Sequence, residues 1–151
     1  MKNVLNKTIV YVKFWKSCSN SCRFCNQQLN KNFNIFEELF IEPSKNSIIK
    51  NIIKLKEYLI YLIENKNYND IEIKFMGGEL FHRSDIPELF EGFEYLADEI
   101  INIISTYYLK CNIACSIYSN FQYEDLSLYK HFIKRLYNHN EEIINNINLA
   151  T

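Results

Sequence analysis

The sequence has few glycines and prolines, no excess of either charge and no long apolar run. Seventeen basic residues against eighteen acidic ones give a net charge of −1, so nothing in the charge indicates a nucleic-acid or anionic-membrane partner. No stretch reaches the roughly 18 uncharged apolar residues that a membrane-spanning helix needs. The most apolar helical window is interrupted by Lys54, Lys56 and Glu57. We therefore expect a protein without a membrane span.

The composition is that of a folded globular domain. Of the 151 residues, 48% are hydrophobic and 15% aromatic, which is enough to build a core and too much for a disordered chain. Internal repeats, linkers and low-complexity tracts are missing. The sequence thus predicts a single domain over residues 1–151.

The five cysteines point to a reducing compartment. Five is an odd number, and the N-terminus lacks the uninterrupted apolar core of a signal peptide. Disulfides are rare in the cytosol, where thiols persist. We expect free thiols and a cytoplasmic protein.

Strands and helices are predicted to alternate along the chain, which indicates an α/β fold with a parallel sheet of βα units. The predicted strands are Thr8–Trp15, Ile71–Phe75 and Asn112–Tyr118, and the predicted helices are Ser47–Asn65, Ile86–Ser105 and Tyr123–Tyr137. Residues 143–149 fit a fourth strand or a frayed helix, and periodicity does not decide between them. Residues 26–43 are predicted to be an irregular segment with one helical turn.

Caps and apolar stripes define the predicted helices. Ser44 or Ser47 is expected to cap the first helix, and Ser84 or Asp85 the second. Apolar residues at steps of three and four predict the buried faces. These residues are Ile48, Ile52, Leu55, Leu59 and Leu62 in the first helix, Leu89, Phe93, Leu96, Ile100 and Ile104 in the second, and Leu126, Tyr129, Ile133 and Leu136 in the third. In the first helix Ile49, Ile53, Ile60 and Ile63 are expected to widen the buried stripe.

Three cysteines follow the first strand within eight residues. Cys18, Cys22 and Cys25 have the spacing C-x3-C-x2-C, on a segment where a loop can direct their sulfurs at one metal centre. A closed zinc site or a fully ligated four-iron cluster takes four protein ligands, whereas this loop offers three. One metal position would therefore stay open for a substrate or cofactor. A structural zinc site remains the main alternative, with a fourth ligand from Cys111, Cys115 or a histidine.

A glycine pair and a glutamate follow the second strand. Gly77 and Gly78 are two of only three glycines, so they mark a place of close backbone approach or of a conformation that other residues avoid. The adjacent Glu79 offers a carboxylate that can accept from an ammonium group. In parallel α/β folds the carboxyl ends of strands gather ligand-binding loops. We expect the cysteine loop and this turn to lie side by side.

Together these motifs resemble the radical S-adenosylmethionine (SAM) superfamily. Its signature is C-x3-C-x2-C with an aromatic residue before the last cysteine, here Phe24, and Gly77-Gly78-Glu79 looks like its GGE motif. Ser119-Asn120, at the end of the third strand, resembles the polar strand end from which the family contacts SAM. Two departures are Leu80, where the family commonly has proline, and the lack of a later GxIxGxxE segment.

The resemblance implies a [4Fe-4S] cluster and SAM as cofactors. Cys18, Cys22 and Cys25 would ligate three irons, SAM would chelate the fourth, Phe24 would lie near its adenine, and the GGE motif would contact its amino group. A flavodoxin- or ferredoxin-like one-electron donor is implied as partner. Reductive cleavage of SAM would give a 5′-deoxyadenosyl radical that abstracts hydrogen from a substrate that the sequence does not identify. No residue is singled out as catalytic.

The implied fold is a partial, TIM-like barrel, usually of six strands, of which this chain holds three clear βα units and a candidate fourth strand. We expect the N-terminal part of such a barrel. Three explanations for the missing strands stay open: the chain is an N-terminal piece of a longer enzyme, a short activase that sets a glycyl radical on a protein substrate, or a degenerate or accessory protein. A protein substrate or second chain would then close the barrel. A non-enzymatic iron–sulfur or zinc protein is the competing class.

Other reactive side chains are expected to be structural or solvent-facing. Cys111 and Cys115 flank or lie in a buried strand at a four-residue spacing and are predicted to be core thiols. Arg23 and the three histidines, His82, His131 and His139, are expected to face water, although His82 lies within reach of the site.

Overall fold

The computed structural model describes residues 5–16, 42–120, 124–138 and 145–150, which form a four-stranded parallel sheet and three helices. The α/β fold with βα units is therefore confirmed. The predictions for Cys18, Cys22, Arg23, Phe24 and Cys25 lie outside the described residues, as do those for residues 26–41 and His139. The elements are β1 (Lys7–Lys13), α1 (Lys45–Ile60), β2 (Asp70–Met76), α2 (Glu88–Tyr107), β3 (Asn112–Tyr118), α3 (Ser127–Leu136) and β4 (Ile147–Ala150).

The strands lie in the order in which they occur in the chain, β1-β2-β3-β4, and every neighbouring pair is parallel. One face of this sheet forms the core. Val10, Ile73, Cys115 and Ile147 lie opposite one another across the four strands, and all four are buried in the hydrophobic cluster that also contains the buried residues of α1, α2 and α3. All three helices thus pack on this face.

Side chains alternate along a strand, so the intervening residues lie on the other face. We call this the polar face, and it carries Tyr11, Lys13, Glu72, Lys74, Ser116, Tyr118 and Asn148. Its central row runs Tyr11, Lys74, Ser116 and Asn148 across the four strands. The described helices leave it uncovered.

The first helix begins at Lys45, two residues before its predicted start. Ser44 is its N-cap and its hydroxyl accepts from the amide of Ser47 at 3.1 Å, so the first of the two predicted caps is correct. After Ile60 the helix widens into a π-helical turn, Tyr61–Asn65. The region predicted as one helix is therefore an α-helix followed by a π-helical turn. The predicted widening of its buried stripe is wrong at Ile53 and Ile60, which are 48% and 52% exposed, whereas Ile63 is buried.

The predicted cap of α2 is wrong. Pro87 is the N-cap and no side chain bonds to the helix end. Ser84 instead hydrogen-bonds the start of α3. Its hydroxyl donates to the Asp125 carbonyl at 3.2 Å and accepts from the Leu128 amide at 3.3 Å. Asp85 pairs with Arg83 at 2.9 Å. Chain order alone did not show that Ser84 lies at the start of a later helix.

The predicted buried stripe of α3 is also wrong in part. The buried residues are Leu128, Phe132 and Leu136. Apolar residues at helical spacing occur on two overlapping faces of this helix, and the partners decide between them. Phe132 packs against Phe81 and Phe93, with ring centroids 5.5 and 5.6 Å apart.

Residues 147–150 form a parallel strand beside β3, which settles the helix or strand alternative in favour of the strand. None of the helices in the described part of the chain is long and apolar enough to cross a membrane.

Candidate functional site

The ends of β1 and β2 are held together beyond their last regular pair. The Phe14 amide donates to the Met76 carbonyl at 3.1 Å, which extends the pairing one residue past β1. Trp15 follows and is completely buried, with its ring edge-on to Phe93. The strand that leads toward the cysteine motif is therefore fixed against β2 at its carboxyl end.

Both glycines of the turn after β2 have positive φ angles, +130° at Gly77 and +43° at Gly78. A Cβ on Gly77 would lie 2.8 Å from the Phe14 nitrogen and 2.8 Å from the Trp15 oxygen. The close approach predicted for the glycine pair thus exists at Gly77, and the group approached is the backbone at the end of β1. Glycine is required here because a side chain would separate the two strand ends.

Glu79 lies in the centre of the strand ends and is 1% exposed. Its Oε1 accepts from the Asn120 amide at 2.6 Å, and its Oε2 accepts from the Phe81 amide at 2.8 Å. The Ser119 hydroxyl lies 2.8 and 2.9 Å from the two oxygens. A carboxylate only accepts hydrogen bonds, so it matches a set of partners made entirely of donors.

The backbone of Glu79 makes the third connection. Its carbonyl oxygen accepts from the indole Nε1 of Trp15 at 2.9 Å. Glu79 therefore ties the end of β1 through its carbonyl and the end of β3 through its carboxylate. The sequence predicted that Glu79, Ser119 and Asn120 belong to one site, and the described geometry brings all three into direct contact. Trp15, the only tryptophan, is a site residue that the sequence reasoning treated as strand alone.

His82 was expected to face solvent, and this is wrong. Its Nδ1 lies 3.0 Å from the Glu79 carbonyl oxygen, and the side chain is half-buried. The short turn after Glu79 folds back because Leu80 and Phe81 are buried, which returns His82 to the strand ends. His131 is half-exposed and pairs with Glu94 at 2.7 Å.

The described contacts of the Glu79 carboxylate are the Ser119 hydroxyl and the backbone amides of Phe81 and Asn120. Both carboxylate oxygens thus accept hydrogen bonds from this chain.

Cys111 and Cys115 are buried, as predicted. Burial raises the pKa of the Cys115 thiol to about 12, and burial followed by the nearby Asp70 raises that of Cys111 to about 11. Both thiols lie in the hydrophobic cluster of the core. Within the described ranges there is no group of three or more His, Cys, Asp or Glu side chains that could hold a metal.

Comparisons of this chain with protein-family models, with curated proteins and with solved structures find no match.

Proposed function

We propose that this chain is a radical SAM enzyme domain. The observation that carries the proposal is the junction at Glu79, where the ends of β1, β2 and β3 meet through direct hydrogen bonds. Trp15 stands three positions before Cys18 in the sequence, so the strand end that binds Glu79 leads directly into C-x3-C-x2-C. A metal-binding motif and a glycine-glutamate turn are thereby joined at the ligand-binding edge of a parallel sheet.

The donor set suits the cofactors that the motifs imply. Three thiols in a C-x3-C-x2-C segment, Cys18, Cys22 and Cys25, would hold three irons of a [4Fe-4S] cluster and leave one for SAM. Gly77, Gly78 and Glu79 would lie along its methionine moiety, with Ser119 and Asn120 beside them and Phe24 near the adenine. When bound, the cluster and SAM supply one-electron reductive cleavage to a 5′-deoxyadenosyl radical for hydrogen abstraction.

The chain's own residues hold this edge of the sheet in one geometry. Ser119 and the Asn120 amide fix the Glu79 carboxylate, and the Trp15 indole fixes its carbonyl. Trp15 and Phe14 fill the space beneath the turn and are fully buried, which excludes water from that side. A reactive radical needs such exclusion of water and of stray hydrogen donors.

The topology supports a barrel-type rather than a doubly wound arrangement. Strands in sequential order with every described helix on one face are the arrangement of a (β/α) barrel segment. We infer a partial barrel in which the polar face is the inner wall. A one-electron donor of the flavodoxin or ferredoxin type is the expected partner, and a protein substrate or second chain could complete the wall.

Cluster assembly in matched cysteine variants tests the proposal. Anaerobic reconstitution with iron and sulfide should give about four irons per wild-type chain. Cys22→Ala should lose the cluster, whereas Cys115→Ala should keep it because Cys115 lies in the core. SAM should change the electron paramagnetic resonance spectrum of the reduced cluster. Equal loss in both variants would contradict the ligand assignment.

The same samples separate the competing classes. Bound zinc in place of iron would indicate a structural site. A cluster whose spectrum ignores SAM would indicate an electron carrier. An activase would retain SAM cleavage and in addition transfer the radical to a glycine of a partner protein.

A further inference from the structure

The polar face differs from an ordinary solvent-exposed sheet face in how its charges are distributed. Lys7 and Asp70 lie opposite each other at the amino ends of β1 and β2, and Glu72 follows on β2. Toward the carboxyl ends the described residues of this face include Lys13 and Lys74 and no acid. Lys13 is only 3% exposed although it points away from the helices. The half of the face that approaches the Glu79 junction therefore carries positive charge.

Lys74 stands in the middle of this half between two aromatic rings. Its Nζ lies 5.6 Å from the centroid of the Tyr11 ring on β1 and 5.9 Å from that of the Tyr118 ring on β3. Both distances are within the range of a cation–π interaction. The two rings flank the amine on the polar face of the sheet, so a ligand would reach the amine along that face.

The Lys74 amine is hydrogen-bonded with the Tyr118 side chain, and no carboxylate of the described residues forms an ion pair with it. Burial lowers the pKa of Lys74, but Tyr118, Glu72 and Tyr11 outweigh it, so the pKa lies above its ordinary value. The nearest acid along the strand, Glu72, accepts from the Ser116 hydroxyl at 3.3 Å.

Distance links this amine to the proposed cofactor site. Lys74 precedes Gly77 by three residues, which is about 10 Å along a strand. A small molecule lying on the polar face with one end at Lys74 would thus present its other end at the Glu79 junction. An anion bound at Lys74 would therefore belong to a substrate. The groups of SAM would lie at the Glu79 junction instead.

We propose that Lys74, framed by Tyr11 and Tyr118, binds an anionic group, a carboxylate or phosphate, of a small-molecule substrate. The assignment of the ligand as substrate rests on the proposed radical SAM function. The two tyrosine rings provide apolar contact for the part of the substrate next to the anion, and the lysine provides its charge. Anion binding at this wall is a property of the described residues and does not require the cluster.

Calorimetric titration of the full chain with inorganic phosphate and, separately, with succinate tests the proposal. Lys74→Met should weaken binding of at least one probe by about tenfold or more, because a charged hydrogen bond is lost. Lys74→Arg should retain binding. The matched control is Lys54→Met, which removes a lysine on the helical side of the molecule and should change nothing. Preference for phosphate or for succinate tells which anion the wall suits.

A second measurement covers the case in which Lys74→Met does not fold. In the wild-type chain labelled with ¹⁵N-lysine, the preferred probe should shift the Lys74 resonance in a saturable manner and leave that of Lys54 in place. Equal shifts at both lysines, or none at Lys74, would overturn the proposal. So would a Lys74→Met variant that binds both probes normally but has lost affinity for SAM.

Both measurements are made before and after cluster reconstitution, so the two proposals can fail separately. A chain that cleaves SAM but shows no anion effect at Lys74 overturns only the substrate inference. A chain that binds the probes at Lys74 but assembles no cluster overturns the radical SAM function and with it the naming of the anion as substrate.

Discussion

At the residue scale, Glu79 is constrained on both carboxylate oxygens by groups that cannot reverse their role. The Asn120 amide donates to one oxygen and the Phe81 amide to the other. A backbone N–H is always a donor. Any substitution that places a donor at either oxygen must therefore oppose an N–H.

Glu79→Gln is expected to lower the free energy of unfolding by about 1–3 kcal/mol, because its NH₂ group faces a backbone N–H in either orientation of the amide. Urea denaturation measures the loss. Glu72→Gln is the matched control, since the Ser116 hydroxyl that donates to Glu72 can rotate and accept instead. Equal losses in the two variants would contradict this account of Glu79.

The two core thiols should be chemically silent in the folded protein. Their pKa values of about 11 for Cys111 and about 12 for Cys115 keep both protonated at pH 8. We expect iodoacetamide to label neither in the native chain and both after unfolding, as measured by peptide mass spectrometry. Native labelling of Cys115 would contradict its burial.

The same shifts fix the sign of an alkaline effect. Because folding raises the thiol pKa above its ordinary value of 9.0, the contribution of each thiol to stability is complete below about pH 9. It is lost as the pH rises toward 11 for Cys111 and toward 12 for Cys115.

At the scale of elements, the turn after β2 is the feature that aligns the strand ends. The sequence identified it from the rarity of glycine, and the structure shows which glycine the packing needs. The sequence could not show which part of the chain the glycine approaches. Gly77 approaches the end of β1, which lies more than 60 positions earlier in the chain, and only the pairing of the strands shows this.

Gly77→Ala is expected to destabilise the protein more than Gly78→Ala. Alanine at Gly77 combines a φ of +130° with contacts of 2.8 Å to backbone atoms of Phe14 and Trp15. Gly78 has a φ of +43°, a left-handed conformation that costs an L-residue only about 1–2 kcal/mol. Urea denaturation of the two variants makes the comparison. Similar losses would mean that the turn, and not its contact with β1, sets the requirement.

The buried face of a helix was predicted correctly for α2 and only in part for α3, where apolar residues at helical spacing occur on two overlapping faces. The stripe of α2 at Leu89, Phe93 and Leu96 is buried as predicted. In α3 the aromatic partners Phe81 and Phe93 select Phe132 instead of the half-exposed Ile133. Periodicity gives the spacing of a buried face, and tertiary contacts choose its phase.

At the scale of the whole molecule, the alternation of strands and helices was enough to predict the parallel sheet and the edge at which Glu79 meets Ser119 and Asn120. It did not show that every described helix packs on one face. That arrangement depends on strand order, which the sequence does not encode locally. It is also what leaves the polar face and Lys74 without a described helix over them, although the alternation of Ile71, Ile73 and Phe75 with charged residues already marked a two-sided strand.

We propose above that a cluster at Cys18, Cys22 and Cys25 works with the Glu79 junction to cleave SAM. The most direct measurement is formation of 5′-deoxyadenosine by the anaerobically reconstituted chain after reduction with dithionite in the presence of SAM. We expect 5′-deoxyadenosine from the wild type and from Cys115→Ala, and none from Cys22→Ala. A wild-type chain that carries a complete cluster and leaves SAM intact would contradict the proposal.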